Sequence, residues 1–195
     1  GVLERGEDRE LEILAQEAFV NLLTDKLEEA ERLADLALNR ALKINGTSME
    51  VKSRNLLGII QYFSNKTEMA FSIWRKDLII SAQRMNKDGI VKLHTNLGAA
   101  YILQSKYMSA KEELEQAYAL YLKFKVSSMT HKPLIYNLLL IYNILGDTSK
   151  RDKLFEKESY FDNLSSYYNQ LISCNENIIT DRYWPLQFEH VFFNY

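Results

Sequence analysis

The side chains with chemistry to offer are few and scattered. Three histidines, His94, His131 and His190, lie far apart, and none stands in H-E-x-x-H or at zinc spacing from a cysteine. The single cysteine, Cys174, permits no intrachain disulfide. No basic residue flanks it to lower its pKa, so it is expected to be a structural thiol near a helix end and not a nucleophile. There is no G-x-G-x-x-G, no phosphate-binding loop and no G-x-S-x-G. Acidic and basic residues are plentiful, but their spacing is helical. Glu28, Glu29, Glu31 and Arg32, or Lys111, Glu112, Glu113 and Glu115, read as solvated helix faces. Lys150-Arg151-Asp152-Lys153 is a small basic cluster, and a formal net charge of −2 speaks against nucleic acid as its partner. The expectation is a chain that is no enzyme and holds no metal or cofactor. What remains is amide chemistry. Asn96-Leu97 recurs as Asn137-Leu138, and a carboxamide offers both a donor and an acceptor.

The elements that must position these groups are helical. The chain has 195 residues, 47% of them apolar, which suits one domain with a sizeable core. Seven Gly and two Pro are too few for the many turns of a β-sandwich or barrel. No apolar run approaches the roughly 18–20 residues of a membrane span. No signal-peptide pattern opens the chain, so a cytoplasmic location is expected. The opening lacks an initiator Met and is read as the start of one piece of a longer protein.

The sequence repeats itself at about 40 residues. Leu57-Gly58 aligns with Leu97-Gly98, Lys66 with Lys106, and Ala30 with Ala70 and Ala110. Each alanine opens an amphipathic stretch: Ala30-x3-Ala34-x2-Ala37, Ala70-x3-Trp74, Ala110-x3-Leu114-x2-Ala117. A fourth copy follows at offset 41, with Tyr101 on Tyr142. Small residues at Gly58, Gly98, Ala70 and Ala110 let paired helices approach, while Tyr101 and Leu114 fill the gap between stacked pairs. Apparent capping boxes begin at Asp25, Thr47, Asn65 and Ser109. Helices are expected near 8–23, 26–44, 48–63, 66–86, 88–104, 108–125, 131–145 and 149–174.

The third copy, Leu97-Gly98-x2-Tyr101 with Ala110-x3-Leu114-x2-Ala117, resembles the tetratricopeptide repeat (TPR). It has His94 where the family has Trp, Leu114 where it has Phe, and no closing Pro. The resemblance spans about residues 8–158. It implies an all-α right-handed superhelix of about four hairpins, near 8–46, 47–87, 88–130 and 131–158. A capping helix and aromatic tail follow over 159–195. The six residues beyond the standard length of about 34 imply longer second helices.

The resemblance also implies a concave groove lined by first helices. Its inward positions bring Lys92, Asn96, Ile102 and Leu103 from the third copy, Tyr136 and Asn137 from the fourth, and Lys52 from the second. In TPR proteins that bind extended peptides, Asn at the place of Asn96 and Asn137 holds the peptide backbone. The second copy carries Leu56 there, so a carboxylate clamp is incomplete. Two readings of the asparagines stay open: groove contacts, or satisfied inter-helix contacts. The implied function is a non-catalytic scaffold binding a protein or extended peptide. The alternative is a sensor domain of a larger transcription regulator or signalling NTPase.

Residues 160–195 carry ten aromatics, from Tyr160 and Phe161 to Tyr195, and Trp184-Pro185 interrupts any helix there. The segment reads as a cap over the last repeat, as a ligand-like segment docking in a groove, or as the remnant of a lost contact with another domain. A homodimer through repeat ends or this tail is a further expectation.

Overall fold

The computed structural model describes residues 2–126, 131–161 and 163–173. The aromatic tail beyond 173, with Cys174, Trp184 and His190, lies outside the described residues. The described residues are all α-helix and turn. The first compact unit holds α1 (Val2–Leu23), α2 (Leu27–Lys43), α3 (Thr47–Phe63) and α4 (Thr67–Gln83). The second holds α5 (Lys87–Leu103), α6 (Tyr107–Phe124), α7 (Lys132–Ile144), α8 (Thr148–Glu158) and α9 (Leu164–Ser173).

One turn geometry builds both units. Asp25, Asn45, Asn65, Met85, Ser105 and Lys125 have φ of 51–60°, one left-handed residue every twenty. After five of these six, the next N–H donates to a carbonyl five residues back. Lys26 donates to Asn21 at 2.8 Å and Lys106 to Tyr101 at 2.9 Å. This is the Schellman closure, which satisfies the last carbonyls of a helix. The capping boxes expected from the sequence do not form. Asp25 and Asn65 are consumed as left-handed turn residues, a conformation short polar side chains tolerate. The helices start after Lys26, Gly46, Lys66 and Lys106, none of which caps through its side chain. At Gly146-Asp147 a side chain does cap: Asp147 accepts from the Lys150 N–H at 3.2 Å. The strict spacing also corrects the expectation of longer second helices. Helices α3, α4 and α5 have 17 residues each and α6 has 18, so the added length is shared.

Within hairpins the small residues act as expected. A Cβ on Gly58 would overlap the Trp74 indole nitrogen, and one on Gly98 would lie 2.5 Å from Leu114 Cγ. Leu114 therefore fills the seam inside its own hairpin, where the sequence reading had it between stacked pairs. The apolar faces of α2 (Leu33, Ala34, Ala37, Ala41) and α7 (Leu134, Leu138, Ile141) are buried. Fully burying one such Leu or Ile is worth about 1.5–3 kcal/mol, so stacking of neighbours holds each unit together.

The single helix expected over 149–174 is two helices. Asn163 has φ of 65°, which no helix interior accommodates. The bend before it is pinned by Glu158, 2% exposed, which accepts from the Tyr118 hydroxyl at 2.7 Å and the Tyr160 hydroxyl at 2.8 Å. Helix α9 then lies against α7: Tyr167 meets Tyr136 edge-on at 4.5 Å and donates to its carbonyl at 3.1 Å. Tyr168 stacks on Phe155 of α8 at 3.9 Å.

Candidate peptide-binding face

Helices α5 and α7 pack directly on each other in the second unit. Lys92 and Asn96 are four residues apart on α5 and so share one face. Asn137 occupies the equivalent place on α7. All three are closed to solvent: Asn96 and Asn137 are 1% exposed and Lys92 is 4%. The Asn137 Oδ1 accepts no hydrogen bond. A buried carbonyl oxygen left in that state costs about 1–3 kcal/mol.

Lys92 is not a free cation. Its ammonium lies 2.6 Å from Asp88 Oδ2, one turn back on α5. Asp88 Oδ1 is hydrogen-bonded at 2.9 Å to His131 Nε2, which is buried at the start of α7 and 5.6 Å from the Tyr121 ring. Burial works to raise the Asp88 carboxyl, but the bonds from His131 and Lys92 outweigh it and hold the group well below the usual carboxylate range. The sequence set His131 aside as isolated, and the partner it finds is 43 residues away. The only local sign was the i, i+4 spacing of Asp88 and Lys92. His94, at the family's Trp position, bonds Glu113 at 2.7 Å across its own hairpin.

The other candidates of the second unit fall at the margins of this face. Ile102 is buried near the end of α5, and Leu103 beside it is half-buried. Tyr136 is half-buried with its ring against Tyr167, so it belongs to the α7–α9 contact. Lys52 lies in the first unit, half-buried on α3 with its ammonium 3.7 Å from Glu12 of α1. The basic cluster of α8 is occupied by pairing: Lys150 bonds Glu115 at 2.8 Å, and Arg151 bonds Asn143 at 2.6 Å. A shallow depression of about 430 Å³ on α1 and α2, lined by Ile13, Val20 and Leu33 among others, touches none of the candidates. Among the described residues no group of three or more His, Cys, Asp or Glu could hold a metal ion. No helix there is long and apolar enough to cross a membrane.

No family model matches the chain, and no curated protein sequence does. Solved structures do match. Putative kinesin light chain TPR-like repeats from Podosopora anserina match with a TM-score of 0.65 at 16% identity, covering 93% of each chain. The apo form of RapI matches with a TM-score of 0.64 at 16% identity, over 85% of this chain and 68% of that one. BtubC (BKLC) from P. vanneervenii matches with a TM-score of 0.61 at 17% identity, over 88% and 68%. At these identities the likeness is one of fold: an all-α, TPR-like helical repeat.

Proposed function

Given a chain folded as TPR-like helical repeats, we propose that it is a non-catalytic scaffold that binds an extended peptide or protein segment on the α5–α7 face. The observation that carries this reading is the recurrence of Asn96 and Asn137 at equivalent places on two touching helices, with the Asn137 Oδ1 accepting nothing. A peptide N–H donated to that oxygen would satisfy it, and the carboxamide nitrogens can donate to peptide carbonyls. Lys92 and Ile102 would flank the bound backbone with a neutralised cation and an apolar wall. Leu103 and Tyr136 are the outer candidates of this face, and Lys52 belongs to the first unit.

The side chains are closed off in the free chain, so binding includes opening of this face. That lowers the apparent affinity by the fraction of chains that are open. The test is binding of a library of extended peptides to the full chain and to an Asn96→Ala/Asn137→Ala version of equal helicity. Loss of at least about tenfold in affinity, or roughly 1.4 kcal/mol, is expected. Unchanged affinity in the double variant removes the assignment. Absence of binding by either protein would favour the sensor-domain reading.

A further inference from the structure

The three aligned second helices place a small apolar residue at one repeat position, with one exception. Ala37 in α2 and Ala117 in α6 are both fully buried. The equivalent residue in α4 is Asp77, also 0% exposed, and neither of its carboxylate oxygens has a hydrogen-bond partner. The exception is accompanied by others. Ser81, one turn on, stands where α2 has the buried Ala41, and Ser53 of α3 stands where α5 has the buried Leu93. Both hydroxyls are buried without a partner. The second hairpin therefore carries a polar cluster in its core where the neighbouring hairpins place Ala37, Ala41, Leu93, Ala117 and Tyr121.

Three charged groups face this cluster. From α3 come Arg54 and Glu50; from the residue that closes α4 comes Arg84. Arg54 lies 3.9 Å from Asp77 Oδ1, too far for a hydrogen bond, while it bonds Glu50 at 2.5 Å. Glu50 also receives Arg84 at 2.5 Å. Burial alone would raise the Glu50 carboxyl, but its two arginines hold it below its ordinary value.

We propose that Asp77 is a proton-operated latch in the α3–α4 hairpin: neutral, it lies in the core and leaves Arg54 on Glu50; ionised, it draws Arg54 across and loosens the hairpin. The exchange is feasible because Glu50 keeps Arg84 when Arg54 leaves. Burial pushes the Asp77 carboxyl up to about 7, with Arg54 opposing and Glu50 adding to the rise. A carboxyl raised on folding binds more protons in the closed state than in the open one. Its stabilising effect is therefore complete at low pH and is lost as pH rises through the folded value.

The experiment is hydrogen exchange of the full chain at pH 5.5 and pH 8.5, corrected for intrinsic rates. The α3–α4 amides should lose about thirtyfold in protection over that interval, the ratio set by a carboxyl near 7, while α5–α9 amides stay level. In Asp77→Asn, or in Asp77→Ala, which restores the residue of the neighbouring repeats, the loss should vanish. Should either variant fail to fold, carbon NMR titration of the Asp77 carboxyl in the unaltered chain decides. A midpoint near neutrality supports the latch, and one in the ordinary Asp range, near about 4, overturns it. Equal pH dependence in the variants, or none in the unaltered chain, also overturns it.

Discussion

Asp88 is the residue on which the α5–α7 face turns. It neutralises Lys92 on its own helix and anchors His131 at the start of α7. An acid with a depressed folded pKa contributes stability above its unfolded value, and that contribution is lost as pH falls through the folded one. Burial opposes the depression and the His131 and Lys92 bonds produce it, so the loss belongs to acid solution below about pH 4. Asp88→Asn is expected to cost about 1 kcal/mol at pH 7, the usual charged-bond figure discounted because the side chain is 40% exposed. Urea unfolding at pH 7 and near pH 3 checks this: the gap between the two proteins should narrow in acid, and a constant gap rejects the account. The candidate face was legible in part for the same reason. Repeat register picks out Lys92, Asn96 and Asn137, but Asp88 and His131 meet only through tertiary packing that no local spacing records. Asp77 left a usable trace, since it breaks the small-residue pattern set by Ala37 and Ala117.

At the scale of elements, the twenty-residue turn is the rule and its residues are the exceptions. Asp25, Asn45 and Asn65 suit a left-handed backbone; Met85, Ser105 and Lys125 do not. Met85 has φ of 53° and is 75% exposed, so its side chain gains little from burial. Met85→Gly relieves backbone strain of about 1–2 kcal/mol and gives back part of it in chain entropy, for an expected net gain of about 0.5–1 kcal/mol. Thermal unfolding should show a higher midpoint, and a lower one would mean that the Met85 side chain contributes more than its exposure suggests. Helix existence was legible because Gly and Pro are scarce and the small-residue pattern recurs every forty residues; the apolar period is strong in α2 and weak in α5, which is buried on most sides. Helix caps were misread because Asp25-x2-Glu28 and Asn65-x2-Glu68 fit a capping box and a left-handed turn equally well as strings. Closure by the Lys26 and Lys66 N–H groups decides for the turn.

At the scale of the whole molecule, contacts in a repeat array run between neighbours, so damage should stay near its source. Helix α9 is the clearest place to test that. Tyr167 is 7% exposed, packs edge-on against Tyr136 and donates to its carbonyl, while Asn143 donates to the Leu171 carbonyl at 3.3 Å. Tyr167→Ala removes the ring contact with Tyr136 and the hydrogen bond to its carbonyl and leaves a cavity, a loss of about 3–5 kcal/mol by analogy with buried aromatic truncations. Hydrogen exchange should show protection falling in α7, α8 and α9 and unchanged in α1–α4, as expected of a unit whose stability is largely its own. Equal loss across α1–α4 would mean that the two compact units unfold as one. The α3–α4 latch would then act on the α5–α7 face through global stability. With the units separable, protonation of Asp77 changes the first unit and leaves the α5–α7 face as it is.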